Sequence, residues 1–271
     1  MRRIKILKMA AFILIGGVLL QTAIMAYTGV FSEGDVDIGS VEVSEEIQNL
    51  IKAQDENQYE RNLRNYKEMI VLLNVHDNYK NIIEDMVRDG KKITDIMIAY
   101  NFLNECYGKV SQLKPLVEQK ESGESWVNIF KKYNRENKAF EPRSFDFAYL
   151  ETLMSQEGIT SDDIMIADRI SQNAGTDFSE VIGEKASGKS WRDVSESYGI
   201  VNGQETIPRV SITQEQLKKY SAGGGLTEEQ VTEVLVVASK LGLKEQTAID
   251  KAKGGFTTEQ FFAEALEKKY Y

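Results

Sequence analysis

The stretch GEKASGKS, residues 183–190, has the spacing of a phosphate-binding loop. In the pattern G-x-x-x-x-G-K-[ST], backbone N–H groups of a turn surround a phosphate and the lysine contacts it. The four defining positions are occupied by Gly183, Gly188, Lys189 and Ser190. The chemistry would be the binding or transfer of a phosphate group. Such a loop also requires a buried strand before the turn and a helix after it.

The surrounding sequence predicts a junction between two helices instead of a phosphate site. The preceding residues, DFSEVIGEKA, have the pattern of an amphipathic helix. A second stretch, KESGESWVNIFKKY at 120–133, matches KASGKSWRDVSESY at 185–198 but has glutamate in place of Lys189. The residues that both stretches keep suit a left-handed helix end at Gly188 and a helix start at Ser190. We therefore predict no nucleotide binding despite the phosphate-loop spacing.

The two matching stretches belong to a longer internal repeat. Residues 94–100, TDIMIAY, resemble residues 162–168, DDIMIAD, and each phrase precedes its stretch by a similar distance. A more divergent third copy occupies residues 225–271. Apolar residues at helical spacing and capping-box residues at helix starts predict short helices in each copy. We expect two to three repeated helical-hairpin units and an all-α fold class.

The repeat and the polar stretches around the prolines divide the chain into segments. The predicted segments are a signal peptide or transmembrane anchor (1–31), an acidic linker and long helix with a half repeat (32–91), repeat 1 (92–134), a linker (135–157), repeat 2 (158–200), a linker (201–224) and repeat 3 (225–271). Residues 42–73 are predicted to form one long polar helix. The glycines expected between helices are Gly90, Gly123, Gly158, Gly188, Gly225 and Gly254.

The N-terminal sequence predicts export of the rest of the chain. Four basic residues and no acid in MRRIKILK precede an apolar run of 23 residues, 9–31. This order is typical of a secretion signal, and about 20 apolar residues are also enough to span a membrane as a helix. We expect either a cleaved signal peptide or an uncleaved anchor, and in both cases the residues that follow face outward.

The charge of the chain argues against nucleic acid as a partner. The formal net charge is −9, and because the first 26 residues contribute +4, the remainder carries −13. Nucleic-acid binding requires clustered Lys and Arg, which this remainder does not supply. The phrase SGKSWRDVSESYGI also resembles part of a helix-turn-helix, but VNGQETIPRV after it offers no basic recognition helix. An acidic exported protein favours a basic partner.

Few residues could act in catalysis or hold a metal ion. The chain has one histidine, His76, and one cysteine, Cys106. These low counts argue against a catalytic Ser-His or Cys-His pair and against a histidine-rich metal site. The acidic stretch 35–46 places acids at positions 1, 3 and 12 of a calcium loop, but position 5 is Gly39 and position 6 is Ser40. We predict no catalytic residue, no metal site and no cofactor.

Four aromatic residues recur at matching positions of the first two copies. They are Trp126, Tyr133, Trp191 and Tyr198. Their helical spacing puts them on faces predicted to be buried, so packing is their expected role. A surface that stacks carbohydrate or binds peptide is the alternative, which makes them the candidate interaction residues.

The shared phrase D-I-x-x-A … S-G-x-S-W-x-x-[IV]-x-x-x-Y resembles a helical repeat module of secreted or membrane-anchored proteins of Gram-positive bacteria, a group with no assigned activity. The resemblance covers 92–134 and 158–200, and 225–271 more loosely. It implies a helical fold and no catalytic residue, because the phrase consists of packing and capping positions.

These observations predict a non-enzymatic, extracytoplasmic helical-repeat protein that is membrane-anchored or secreted. The expected role is a protein-interaction or structural module at the cell envelope, with an envelope protein or a cell-wall component as its partner. One alternative is an envelope hydrolase, which requires an acid pair or a nucleophile in a pocket. Another is a chaperone-like accessory of exported proteins, which requires a broad exposed apolar groove. An extracellular sensor subunit with a separate membrane partner is a third.

Overall fold

The computed structural model describes residues 37–271, and helices account for most of this part of the chain. The helices are α1 (Glu45–Gln54), α2 (Tyr59–Leu72), α3 (Asp77–Arg88), α4 (Ile93–Cys106), α5 (Leu113–Glu121), α6 (Trp126–Glu136), α7 (Phe147–Met154), α8 (Ser161–Ala174), α9 (Phe178–Ala186), α10 (Trp191–Ser197), α11 (Gln214–Ser221), α12 (Glu228–Lys240), α13 (Glu245–Lys253) and α14 (Thr258–Tyr270). Within these residues the only β pairing is one antiparallel bridge between Lys109 and Ile200. The predicted all-α fold class is confirmed.

The N-terminal signal or anchor predicted at 1–31 lies outside the described residues. Between residues 37 and 271, each helix is too short or too polar to cross a membrane.

Several helix boundaries differ from those predicted. One long helix was expected over 42–73, whereas the structure has α1 and α2 with a turn between them. Asp55 makes this turn, because its carboxylate accepts hydrogen bonds from the N–H groups of Asn57 (3.0 Å) and Gln58 (3.2 Å). Each of the segments 92–134, 158–200 and 225–271 contains three helices where a hairpin of two was expected, and the expected linkers contain α7 and α11.

The main apolar core joins helices from both ends of the described chain. It contains buried side chains of α1 to α6 together with those of α12 to α14. Helix α14 packs against α4 and α6, and the fully buried Tyr270 hydroxyl accepts a hydrogen bond from Asn101 Nδ2 at 3.0 Å. A second core lies around α8, α9 and α10 and includes Trp191. The third segment therefore packs on the first, although α7 to α11 separate them in sequence.

The segment that follows α10, residues 199–204, ties the second core to the first. Its backbone pairs with the end of α4, with Val110 N–H donating to Gly199 O (2.8 Å) and Val201 N–H donating to Gly108 O (3.0 Å). At Gly203 the chain passes so close to its neighbours that a Cβ atom would lie 3.0 Å from the Cα of Arg192. Residues 199–204 are therefore packed tightly between the two cores. Residue 203 must be glycine because there is no room for a Cβ atom.

Substitution by alanine is expected to change the free energy of unfolding in opposite directions at Gly203 and at Gly183. Gly203→Ala should lower the free energy of unfolding by about 1–3 kcal/mol, because backbone atoms must move to make room for the methyl group. Gly183 lies within α9, and no neighbouring atom would come within 4 Å of an added methyl group, so Gly183→Ala should raise the free energy of unfolding by about 0.5–1 kcal/mol. Urea denaturation followed by circular dichroism measures both. Equal midpoints for the two variants would contradict a tightly packed connection.

Candidate functional site

The stretch GEKASGKS forms a junction between α9 and α10, as the sequence predicts. Helix α9 ends at Ala186, and Gly188 follows with φ +93°, a left-handed conformation that favours glycine. Ser190 is the N-cap of α10, and its hydroxyl oxygen accepts a hydrogen bond from Asp193 N–H at 3.1 Å. Trp191, the first residue of α10, is fully buried in the second core. The predicted helix junction is confirmed.

The groups that would hold a phosphate in this stretch are already engaged. The N–H groups of Ser187, Gly188 and Lys189 donate to carbonyl oxygens of α9 at 3.0, 2.9 and 3.4 Å. The Lys189 ammonium forms an ion pair with Glu184 Oε2 at 2.7 Å. Since the turn is preceded by a helix and its N–H groups face helix carbonyls, they do not converge on an anion.

The other two corresponding junctions have the same backbone arrangement. Gly123 has φ +99°, and Ser125 caps α6 by accepting a hydrogen bond from Asn128 N–H at 3.3 Å. At the third junction the left-handed residue is Gly255, with φ +87°. Gly254 lies between α13 and α14, as predicted, but has φ −77°, an ordinary conformation.

The four candidate aromatic residues lie in packed positions. Trp126 and Trp191 are fully buried, and Tyr133 is 9% exposed. Tyr198 is partly buried, and its hydroxyl donates to Glu184 Oε1 at 2.8 Å. The structure does not bring the four together on one surface, because two belong to the first core and two to the second. A ligand contact by either tryptophan would require helices to separate.

The two tryptophans differ in what their indole N–H groups contact. Trp191 Nε1 donates directly to the buried carboxylate of Asp163 at 2.7 Å. Trp126 Nε1 donates at 2.8 Å to the hydroxyl of Tyr271, a residue that is 47% exposed and hydrogen-bonded in turn to Asp95. The Tyr271 hydroxyl thus lies between the Trp126 indole and the Asp95 carboxylate, whereas Trp191 contacts its carboxylate directly.

The remaining chemically versatile residues have structural contacts. His76 caps α3, with its Nδ1 accepting a hydrogen bond from Asn78 N–H at 3.2 Å. Burial raises the pKa of the Cys106 thiol to about 12, so this thiol stays protonated and is a poor nucleophile or metal ligand. Glu46 of the calcium-like stretch pairs with Arg88 at 3.1 Å. Residues 37–271 contain no cluster of three or more groups suited to a metal ion.

Helix α7 lies in a segment that was predicted to be a linker, and it presents an apolar face. Six large apolar side chains of residues 37–271 are exposed, and three of them, Phe147, Tyr149 and Met154, belong to this eight-residue helix. Phe147 and Met154 are seven residues apart and so share a face two turns apart, with Glu151 between them. The signal in the sequence was Asp146, whose carboxylate caps α7 by accepting from the N–H groups of residues 148 and 149.

A cavity of about 530 Å³ lies where helices of the three predicted repeat segments meet. Its walls come from the ends of α4 and α6, from α8, α12 and α14, and from residues 107–112 and 137–140. Glu105 and Lys240 form a buried ion pair in this wall. Burial raises the pKa of the Glu105 carboxyl and lowers that of the Lys240 ammonium, while the charge of each partner opposes the shift of the other.

The wall of the cavity also contains a buried arginine and a strained tyrosine. Arg169 is 6% exposed, and its guanidinium carbon lies 4.6 Å from the ring centroid of Phe140 and 5.2 Å from that of Tyr107. Tyr107 has φ +53°, an uncommon conformation for a residue with a side chain. Asn173 Nδ2 donates to the carbonyl oxygens of Cys106 (3.1 Å) and Tyr107 (3.0 Å), which stabilises this turn.

Comparison of the chain with protein-family models, with curated proteins and with solved structures found no match.

Replacing each tryptophan by phenylalanine should distinguish the two indole contacts. Trp191→Phe leaves the carboxylate of Asp163 buried without its indole donor, so we expect a loss of about 3 kcal/mol in the free energy of unfolding. Trp126→Phe should cost about 1–2 kcal/mol, because the exposed Tyr271 can turn its hydroxyl to water. Thermal and urea denaturation measure both values. Equal losses would show that the direct contact to Asp163 contributes no more than the bridged one.

Proposed function

We propose that this protein is a non-enzymatic, extracytoplasmic interaction module built from three helical repeat units and held at, or released from, the cell envelope. In this proposal each unit comprises three helices, α4 to α6, α8 to α10 and α12 to α14. A glycine with positive φ shortly before the N-cap residue recurs at the junctions before α6, α10 and α14, which supports the correspondence of the units. The observation that favours protein binding is the exposed apolar face of α7, which joins the first unit to the second.

The α7 face has the composition of a small docking surface. Phe147 is 44% exposed and Met154 is 45% exposed, and large apolar side chains exposed together on one helix face are typical of interaction sites. Glu151 lies between them, and residues 144–158 contain acids but neither lysine nor arginine. This pattern fits one kind of partner, a protein segment that places a basic side chain between two apolar ones.

The helix is attached firmly enough to serve as a platform. Leu153 is buried in the second core, and Leu150 packs against the same core from one turn earlier. Phe145, just before the helix, contacts Phe178 of α9 with ring centroids 4.6 Å apart. The outer face can therefore engage a partner without the entropic cost of ordering the helix itself.

Export is expected to depend on residues 1–31. Alkaline phosphatase without its own signal, fused after residue 271, should be active in cells, because this enzyme requires disulfides that form only outside the cytoplasm. Deleting residues 1–31 from the fusion should abolish activity. Fractionation of the active fusion then separates an anchored from a released form. Activity that survives the deletion would contradict the proposed route of export.

Partner contact is expected at α7 and can be mapped by photocrosslinking in cells. Benzoylphenylalanine placed at residue 147 or 154 should give one discrete crosslinked product, while the same group at the exposed control positions Val71 and Ile82 should not. Glu151→Lys should reduce the yield by about threefold to tenfold through charge repulsion with a basic partner, and Glu42→Lys should leave it unchanged.

Two other outcomes of the crosslinking experiment would overturn the assignment of this surface. Equal products at all four positions would mean that α7 is not the contact site. A ladder of many products at 147 and 154, insensitive to Glu151→Lys, would instead support the chaperone-like alternative, because such a protein contacts many exported chains through apolar surface alone.

A further inference from the structure

We propose that the cavity between α4, α6, α8, α12 and α14 binds a small organic carboxylate with an aromatic or branched apolar body. This binding site is separate from the α7 face and does not depend on the proposed protein interaction. Three features support it, namely the charge of the wall, the apolar side chains beside it and the placement of Arg169.

The cavity is positively charged within a negatively charged protein. Its lining contains four basic side chains and two acidic ones, namely Lys109, Lys138, Arg169 and Lys240 against Glu105 and Glu259. Four basic against two acidic side chains leave the lining with a net excess of two positive charges, although Glu105 pairs with Lys240. The chain as a whole has a net charge of −9, so this local excess runs against its composition. An anion is the ligand that such a lining attracts.

The apolar part of the lining defines the body of the ligand. Aromatic rings of Phe102, Tyr133, Phe140 and Phe262 contribute to the wall. A volume of about 530 Å³ lies within the range of sites for small organic molecules, which are mostly apolar with a few polar groups that fix orientation. Inorganic phosphate or sulfate would leave these rings without contacts, so an anion with an apolar body fits better.

Arg169 is the group suited to hold the carboxylate. A guanidinium offers a planar set of N–H donors that can bind both oxygens of a carboxylate, and aromatic rings beside it fix its plane. The rings of Tyr107 and Phe140 lie within 5.2 Å of the Arg169 guanidinium carbon. Burial of this cation strengthens its interaction with an anion, because little water competes for it.

The Tyr107 hydroxyl in this lining is buried and has no hydrogen-bond partner among the described residues. A buried polar atom left unsatisfied costs about 1–3 kcal/mol. Tyr107 also has a left-handed backbone, and such strain concentrates at binding sites. A carboxylate accepts from a tyrosine hydroxyl, so a ligand that Tyr107 turned to meet would offset part of this cost.

Titration of the purified full chain with two matched probes tests the ligand class. 3-Phenylpropionate has the proposed carboxylate and aromatic body, and 3-phenylpropanol has the same body without the charge. Calorimetry should show saturable 1:1 binding of 3-phenylpropionate and binding of 3-phenylpropanol at least about tenfold weaker. Equal affinity for the two probes, or no binding of either at millimolar concentration, would overturn the proposal.

Two charge reversals that leave the fold undisturbed locate the site. Lys138 and Arg135 are both exposed near the end of α6, but only Lys138 lines the cavity. Lys138→Glu should weaken binding of 3-phenylpropionate by about fivefold, whereas Arg135→Glu should change it by less than about twofold. Equal effects of the two variants would mean that the probe binds elsewhere or responds only to net charge.

A third variant tests the role of Arg169 itself. Arg169→Met keeps much of the buried volume and removes the guanidinium, so it should abolish calorimetric binding of 3-phenylpropionate. Circular dichroism and thermal melting identify the folded fraction, and the Lys138→Glu comparison stands even if this variant unfolds. A folded Arg169→Met variant that binds 3-phenylpropionate with unchanged affinity would contradict the assignment of the carboxylate to Arg169.

Discussion

The structure depends on the burial of one helix on all its sides. Eleven of the fourteen residues of α4 are buried, and they do not form a single stripe. A helix that is buried all round must be covered by other elements, because no face of it can remain in water. Helices α2, α5 and α14 pack against it, and residues 199–204 cover its C-terminal end. The need to cover α4 therefore brings together parts of the chain that lie far apart in sequence.

Buried polar groups on α4 determine which segments cover it and in what register. Asn101 donates to the hydroxyl of Tyr270, and Asp95 accepts from the hydroxyl of Tyr271. The carbonyl oxygen of Asn104 accepts from Asn202 Nδ2 at 2.9 Å. A shift of α14 or of the 199–204 segment would leave these groups unpaired in the core, which costs more than the loss of apolar contact alone. The polar contacts thus give the packing its specificity.

The cavity and the α7 face both arise where elements of different segments meet. Helix α4 ends at Cys106, and the chain turns sharply at Tyr107, which leaves space between the ends of α4 and α6 and the flanks of α8, α12 and α14. Helix α7 lies between α6 and α8 in the chain and packs through Leu150, Leu153 and the ring of Tyr149, while Phe147 and Met154 stay exposed. Apart from Tyr133, the side chains discussed for these two features lie outside the repeated phrase, which consists of packing and capping positions.

The sequence by itself determined the local structure of this protein. Capping residues such as Ser190 and Thr227 mark helix starts, and glycine at residue 188 marks a helix end, because these effects involve only neighbouring residues. These local features of Gly188 and Ser190 also identified the phosphate-loop match as a helix junction. Local patterns did not reveal the short turn at Asp55, which divides the predicted long helix into α1 and α2.

Only the tertiary structure decided which segments share a core and which residues meet in a cavity. Glu105 and Lys240 are 135 residues apart, and periodicity along one helix contains no information about such a pair. The same holds for Arg169 beside Tyr107 and for Tyr271 between Trp126 and Asp95. These contacts follow from the way whole helices pack to cover α4, a non-local result that propensities and caps do not specify.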